Sequence, residues 1–206
     1  MNPIDKLSEY FLKFPGIGPR QARRFVYFLL SSGSAFRKIL ATQILSLDEA
    51  VSRCASCRRF FMQAHGASLL CDICSSSNTD NGTLLVVEKT TDFDAIKKTN
   101  AYHGRYFILG GSLPILESNP NEKISARELV EEIKKQSESG ALKEIILAMG
   151  ATREGENTAQ YVAKTLEPLV KKYSLRISSL GRGLSTGTEL EYSDTDTFTS
   201  ALLNRR

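Results

Sequence analysis

The feature that most constrains this chain is the spacing of its four cysteines. They are the only cysteines among 206 residues and form two C-x-x-C pairs, Cys54-Ala55-Ser56-Cys57 and Cys71-Asp72-Ile73-Cys74, separated by thirteen residues. A C-x-x-C turn points both sulfurs to one side, so two such knuckles can surround a single ion tetrahedrally. Four thiolates leave no open coordination position, which makes one structural Zn2+ per chain the expected cofactor. In peptides such sites contribute roughly 10–16 kcal/mol of binding free energy to folding, which suits a module this short. Two disulfides, or a redox role for one pair, compete with this reading, and His65 in the intervening loop competes as a substitute ligand. No apolar run approaches the roughly 18 residues of a membrane span, and the N-terminus lacks a basic-then-apolar leader. A cytoplasmic location with no membrane partner is therefore expected, and reducing conditions there disfavour disulfides.

On either side of this module the apolar pattern differs. Before it, Ile4, Leu7, Tyr10, Phe11 and Phe14 recur at helical spacing, as do Ala22, Phe25, Val26, Leu29 and Leu30. A third helical stretch, in two pieces, is expected over 35–52. After the module, the apolar runs 84–87, 106–109, 145–149 and 175–180 read as strands. Helices are expected between them, from Asp92, from the capping-box sequence Ser125-Ala126-Arg127-Glu128 to about Ser137, and over 157–173 with a kink near Pro168. Strands separated by helix-length segments pair in parallel through crossovers, so residues 82–180 should form an α/β domain. A content of 41% hydrophobic and 24% charged residues fits a globular protein with a real core and excludes a disordered or collagen-like chain.

Net charge is +4, and its placement matters more than its size. Residues 1–47 hold seven basic against two acidic side chains, whereas 81–206 hold seventeen of each. A local basic excess points to a polyanion partner. It surrounds Pro15-Gly16-Ile17-Gly18-Pro19, which is followed by Arg20, Arg23 and Arg24. Gly16 and Gly18 let the backbone turn sharply and approach a partner closely. The amides opening the next helix, with Arg20 and Arg24 on one face, then make a phosphate-sized anion site. A glycine turn between two packed helices with ordinary exposed arginines is the competing interpretation. The later glycine cluster, Gly181 to Gly187, has neither the phosphate-loop nor the dinucleotide-binding order, so nucleotide hydrolysis is not expected.

Phe14 to Arg24, FPGIGPRQARR, resembles a helix-hairpin-helix motif as it occurs at the start of the bacterial RecR family. The resemblance extends over the whole chain: the four-cysteine module, LLVVE ending at Glu88, Gly110-Gly111, ILAMGATREGENTA and RGLSTGTELEYSD follow in order. The thirteen-residue gap between knuckles is longer than the family pattern. The resemblance implies a helix-hairpin-helix DNA-binding region over 1–53, a four-cysteine zinc finger over 54–78, a Toprim domain over 80–180 and a C-terminal oligomerisation region over 181–206. The fold class is thus α/β.

Active Toprim domains carry a glutamate after the first strand and an Asp-x-Asp pair after the third. Here Glu88 fills the first position, while Gly150 and Thr152 replace both aspartates. Loss of two central acids weakens any Mg2+ site severely, so a non-enzymatic Toprim fold is expected. Glu88, Glu154 and Glu156 remain as an acidic cluster at the sheet edge, read as a partner contact or weak metal site. The resemblance implies a recombination mediator that acts with RecO, and in some settings RecF, to load RecA onto single-stranded DNA coated by single-strand binding protein. It also implies a homo-oligomer, a dimer or tetramer, that binds DNA through Gly16, Gly18, Arg20, Arg23 and Arg24. The alternatives are a metal-dependent Toprim nuclease or primase-like enzyme using the three glutamates, and a zinc adaptor with no DNA role.

Overall fold

The computed structural model describes residues 2–62, 68–117, 119–184, 186–187 and 189–205. His65 lies outside the described residues. The chain divides into two compact units, one formed by the segment up to Ser52 together with Met62, the other from Arg53 onward.

The first unit is helical. α1 (Pro3–Phe11) starts where the Asn2 side chain accepts a hydrogen bond from the Ile4 amide at 2.9 Å, the usual N-cap device. α2 (Pro19–Ser31) follows the glycine turn, with proline at its first position where a missing N–H costs nothing. The third helix corrects the sequence expectation: α3 (Ser34–Ala50) is one uninterrupted helix. No proline or glycine lies inside it to break the hydrogen-bond ladder. None of its residues is buried.

The chain continues with a two-stranded sheet of β1 (Val51–Arg53) and β2 (Phe60–Met62) bracketing the first knuckle, and with the short α4 (Asp72–Ser75) in the second. Then come β3 (Asp80–Val87), α5 (Thr90–Thr99), β4 (Gly104–Ile108), α6 (Pro120–Lys123), α7 (Ala126–Glu138), β5 (Glu144–Ala148), α8 (Arg153–Tyr173), β6 (Arg176–Ser179) and α9 (Thr195–Leu203). The four longer strands form one sheet in the order β4-β3-β5-β6, and every pairing is parallel, as expected.

In the central strand β3, Leu84, Leu85, Val86 and Val87 are all buried, because strand side chains alternate and both faces are covered. Leu84 and Val86 join Phe107, Ile145, Leu129, Ile133, Val162 and Leu166 in one core under α7 and α8. Leu85 and Val87 join Tyr106, Ile108, Phe93 and all four cysteines in the other. The cysteine module therefore shares that face with α5, which contributes Phe93. Each fully buried aliphatic or aromatic side chain contributes about 1.5–3 kcal/mol.

One cap and one element boundary differ from expectation. Ser125 precedes α7 but makes no side-chain cap; it is buried, and its backbone N–H bonds to Leu109 O instead. α8 starts at Arg153 because Thr152 Oγ1 accepts from Gly155 N at 3.0 Å, a cap that lies before the apolar periodicity begins. No described helix is long and apolar enough to cross a membrane.

Candidate functional sites: an open glycine turn, a four-sulfur cluster and the sheet edge

Between α1 and α2 the chain reverses through Gly16, whose φ of +75° lies in the left-handed region that favours glycine. Gly18 is different. It has a φ of −90°, and a Cβ there would meet nothing within 4 Å. The packing of this chain thus leaves the backbone at Gly18 bare toward the outside. No side chain caps α2, so its first amides are available to an anion. Arg20 and Arg24 are exposed, and no ion pair joins them among the described residues. Arg23 differs, since its Nη2 is 3.2 Å from Asp5 Oδ1 on α1; an exposed pair of this kind contributes at most about 1 kcal/mol.

The four cysteines are buried and converge, with their sulfurs all within 4.8 Å of one another. Cys57 Sγ and Cys71 Sγ are 3.6 Å apart, close to the ~3.8 Å edge of a tetrahedron built from metal–sulfur bonds of about 2.3 Å. The four sulfurs converge on one centre and do not separate into two pairs, which favours a metal site over two disulfides. The donor set fits a metal ion, which Cys54, Cys57, Cys71 and Cys74 would hold. Local structure prepares this convergence. The first knuckle closes through Arg58 N to Cys54 O at 3.1 Å, with Arg58 at a φ of +66°, and the second caps α4 with Cys71. The thiols also share protons. Hydrogen bonds from Cys57, then Cys71 and Cys74, outweigh burial and hold the Cys54 thiol far below its ordinary range, while Cys57, donating to Cys54, is pushed up.

Contacts from outside the cysteines fix the module to the α/β body, and sequence reasoning did not find them. The Ile108 N–H of edge strand β4 donates to Cys57 O at 3.0 Å, and Arg105 Nη1 donates to Cys74 O at 2.9 Å. Ser56 Oγ donates to Glu132 Oε1 at 2.5 Å, and Arg58 pairs with Glu128 at 3.2 Å. Glu128 and Glu132 stand one helical turn apart on α7. Their i, i+4 spacing and the polar residues inside the knuckle were the only available signals.

At the carboxyl edge of the sheet, Glu88 directly follows β3 and is only 7% exposed. Burial pushes its pKa up, against a hydrogen bond from the Gly150 amide that pulls it down. Its Oε1 is buried with no partner among the described residues. A Cβ at Gly150 would stand in ordinary contact with Glu88 Oε2, at 3.5 Å, so an aspartate there would fit beside Glu88, and this chain lacks that second acid. Glu154 and Glu156 lie in the first turn of α8, and Arg182 Nη1 neutralises Glu156 at 2.5 Å. Glu154 adds to the upward push on Glu88, but Glu88, Glu154 and Glu156 do not converge as a set of three: among the described residues the cysteines form the only such group. The glycine-rich segment is tied into the body by that Arg182 bond and by Asn204 Nδ2 to Arg182 O at 2.8 Å. Further along α8, Thr158 Oγ1 and Asn157 Nδ2 bond to the backbone of Leu113 and Pro114, a clamp that no sequence motif announced.

A parallel sheet with α7 and α8 on one face, α5 and a four-sulfur module on the other, and glutamates at its carboxyl edge defines a Toprim-fold protein with a cysteine knuckle built into it. In agreement, the Toprim domain family matches residues 82–180. Similarity to curated proteins spans nearly the entire chain. The Recombination protein RecR of Cyanothece sp. (strain PCC 7425) is 33% identical over 204 residues, covering 99% of this chain and 95% of the relative. Those of Chloroherpeton thalassium and Thermosynechococcus vestitus are both 34% identical, covering 98% and 99% of this chain and 95% and 94% of their own lengths. The chain belongs to the RecR family.

Proposed function

We propose that this protein is a DNA-binding mediator of recombinational repair that works without strand-cleaving chemistry. The observation that carries the reading is the bare turn at Gly16 and Gly18, with the uncapped start of α2 and the unpaired Arg20 and Arg24 beside it. Backbone amides and arginines recognise phosphate, not base edges, so binding is independent of sequence and strongly salt-dependent. The names of the relatives support a place in recombination. Within that role the partners are RecO and, in some settings, RecF, and the outcome is RecA loading onto single-stranded DNA coated by single-strand binding protein. The ion held by Cys54, Cys57, Cys71 and Cys74 is Zn2+, one per chain, with a structural role. Glu88, Glu154 and Glu156 form a protein-contact edge. The absence of a three-carboxylate group among the described residues and the residues at positions 150 and 152, Gly150 and Thr152 in place of aspartates, speak against the nuclease alternative.

The protein acts as a homo-oligomer. An apolar groove of about 470 Å3 in the helical unit, lined by residues including Ile4, Leu7, Phe14, Leu30, Leu40 and Ile44, supports self-association. So do the exposed Leu190, Tyr192, Leu202 and Leu203 in the C-terminal segment. Bringing several hairpins onto one DNA raises avidity without new contacts.

The DNA reading is tested with Arg20→Glu/Arg24→Glu. The expected result is a loss of at least tenfold in affinity for single- and double-stranded DNA, with a shallower salt dependence, in a protein of native circular dichroism. Unchanged affinity would remove the hairpin from the interface and favour the adaptor alternative.

A further inference from the structure

Past edge strand β4 the chain turns at Gly110, whose φ is +96°, and runs through Gly111 and Ser112 before it is anchored again. Both ends of this short loop are fixed. The Gly110 amide donates to Glu88 O at 2.9 Å, and the Leu113 amide donates to Thr158 Oγ1 at 2.8 Å. Gly111 is packed as closely, since a Cβ there would meet Lys123 O at 3.3 Å. Between the anchors, the amides of Gly111 and Ser112 and the Ser112 hydroxyl have no hydrogen-bond partner among the described residues. Backbone amides are obligatory donors, and neither residue is fully buried, so these groups are left to water or a ligand. Consecutive backbone amides at a turn are a recurrent anion-binding arrangement.

A cation stands beside the turn. A Cβ at Gly110 would lie 3.6 Å from Arg53 Nη2, so the glycine lets the guanidinium rest against the backbone. Arg53 is exposed yet held: its Nε donates to Arg58 O at 3.1 Å, and its guanidinium carbon stands 5.8 Å from the Phe60 ring centre. Neither of its Nη atoms has a hydrogen-bond or ion-pair partner among the described residues. Burial, and then the nearby Arg58, lower its pKa against an opposing pull from Glu128. Glu128 is itself paired with Arg58 at 3.2 Å, so two cations and one acid leave a single positive charge. That charge matches a phosphodiester, whereas a phosphate monoester carries about −1.5 to −2. Glu88, at the end of the adjoining β3, places its Oε2 beside Gly150 past the end of β5, on the opposite side of β3 from β4.

We propose that the Gly110-Gly111-Ser112 loop and Arg53 form a second phosphate site, which takes a phosphodiester of a DNA backbone on the unit that carries the sheet. The site is additional to the hairpin at Gly16 and Gly18, which belongs to the other unit, and it rests on the reading of the protein as a DNA binder. Its donors are backbone amides, a hydroxyl and one guanidinium, so it holds the strand without selecting a base. Each phosphate neutralised by a cation adds to the salt dependence of binding.

The test measures binding of labelled single- and double-stranded oligonucleotides to the full-length protein over a range of salt. Arg53→Gln is expected to weaken binding about three- to tenfold, and to make the slope of log K against log salt shallower by about 0.7 on single strands and 0.9 on duplex. Lys172→Gln removes one positive charge from the last turn of α8, and is expected to leave affinity and slope unchanged. Hydrogen exchange reads the loop directly: DNA should slow exchange at the Gly111 and Ser112 amides of the unsubstituted protein, and much less in Arg53→Gln. Unchanged affinity and slope in Arg53→Gln, or loop amides that DNA does not protect, overturns the proposal. The hairpin reading falls separately, to the result with Arg20→Glu/Arg24→Glu. Protection of the loop by inorganic phosphate, with none from DNA, would give the site to a small phosphate ligand and overturn its assignment to a DNA backbone.

Discussion

At Gly155 a Cβ would collide with the Gly150 carbonyl oxygen, so the first turn of α8 lies against the end of β5 backbone to backbone. Gly155→Ala is expected to cost at least about 2 kcal/mol, measured by urea unfolding; an unchanged midpoint would mean that α8 can shift freely. Glu88 obeys a different logic. Its raised pKa means that the folded chain holds the proton more tightly than the unfolded one, whose glutamates titrate near about 4.3. The stability this contributes is complete below that value and is lost as pH rises through the elevated native value. Glu88→Gln should therefore unfold at higher urea than the unsubstituted protein at pH 7, with the advantage shrinking as pH falls towards about 4.3. No advantage at pH 7 would show that the buried carboxylate is compensated. The types of both residues stood in the sequence, but the reason for Gly155 did not, because a backbone-to-backbone approach leaves no periodic trace.

Among the elements, β4 is an edge strand, and the cysteine module covers it through Cys57 O and the Arg105 bond to Cys74 O. Removing the metal should release this cover. Chelation under reducing conditions is expected to lower Tm and to raise hydrogen exchange at the Ile108 amide far more than at the central Val86. Equal protection with and without chelator would make the module a passive appendage. The strand cores, their parallel pairing and the cysteine cluster were legible because each rests on local composition or spacing. The docking of the module was not: Ser56 and Glu132 are 76 residues apart, and nothing near either names the other. The start of α8 was missed because capping at Thr152 preceded the apolar period; the start of α7 after Ser125 was met, though without the expected side-chain cap. The two-piece expectation for α3 weighted a gap in its apolar spacing over the lack of any helix breaker.

For the molecule as a whole, the basic excess of the first 47 residues belongs to the helical unit, whose third helix has no fully buried residue. Leu40→Glu places a charge in the apolar groove without changing helix propensity much. Its expected effect is a lower solution mass by light scattering, with weaker DNA binding as avidity falls; an unchanged mass would move self-association elsewhere. The charge placement and the hairpin could be read from sequence, whereas the exposure of α3 could not, since an amphipathic stripe looks the same whether its partner is the same chain or another. The unburied α3 also carries a thermodynamic consequence. On the proposed assembly, part of the folding free energy of the helical unit comes by mass action from neighbouring copies. Its Tm then climbs with protein concentration, and dilution alone loosens the turn that meets DNA.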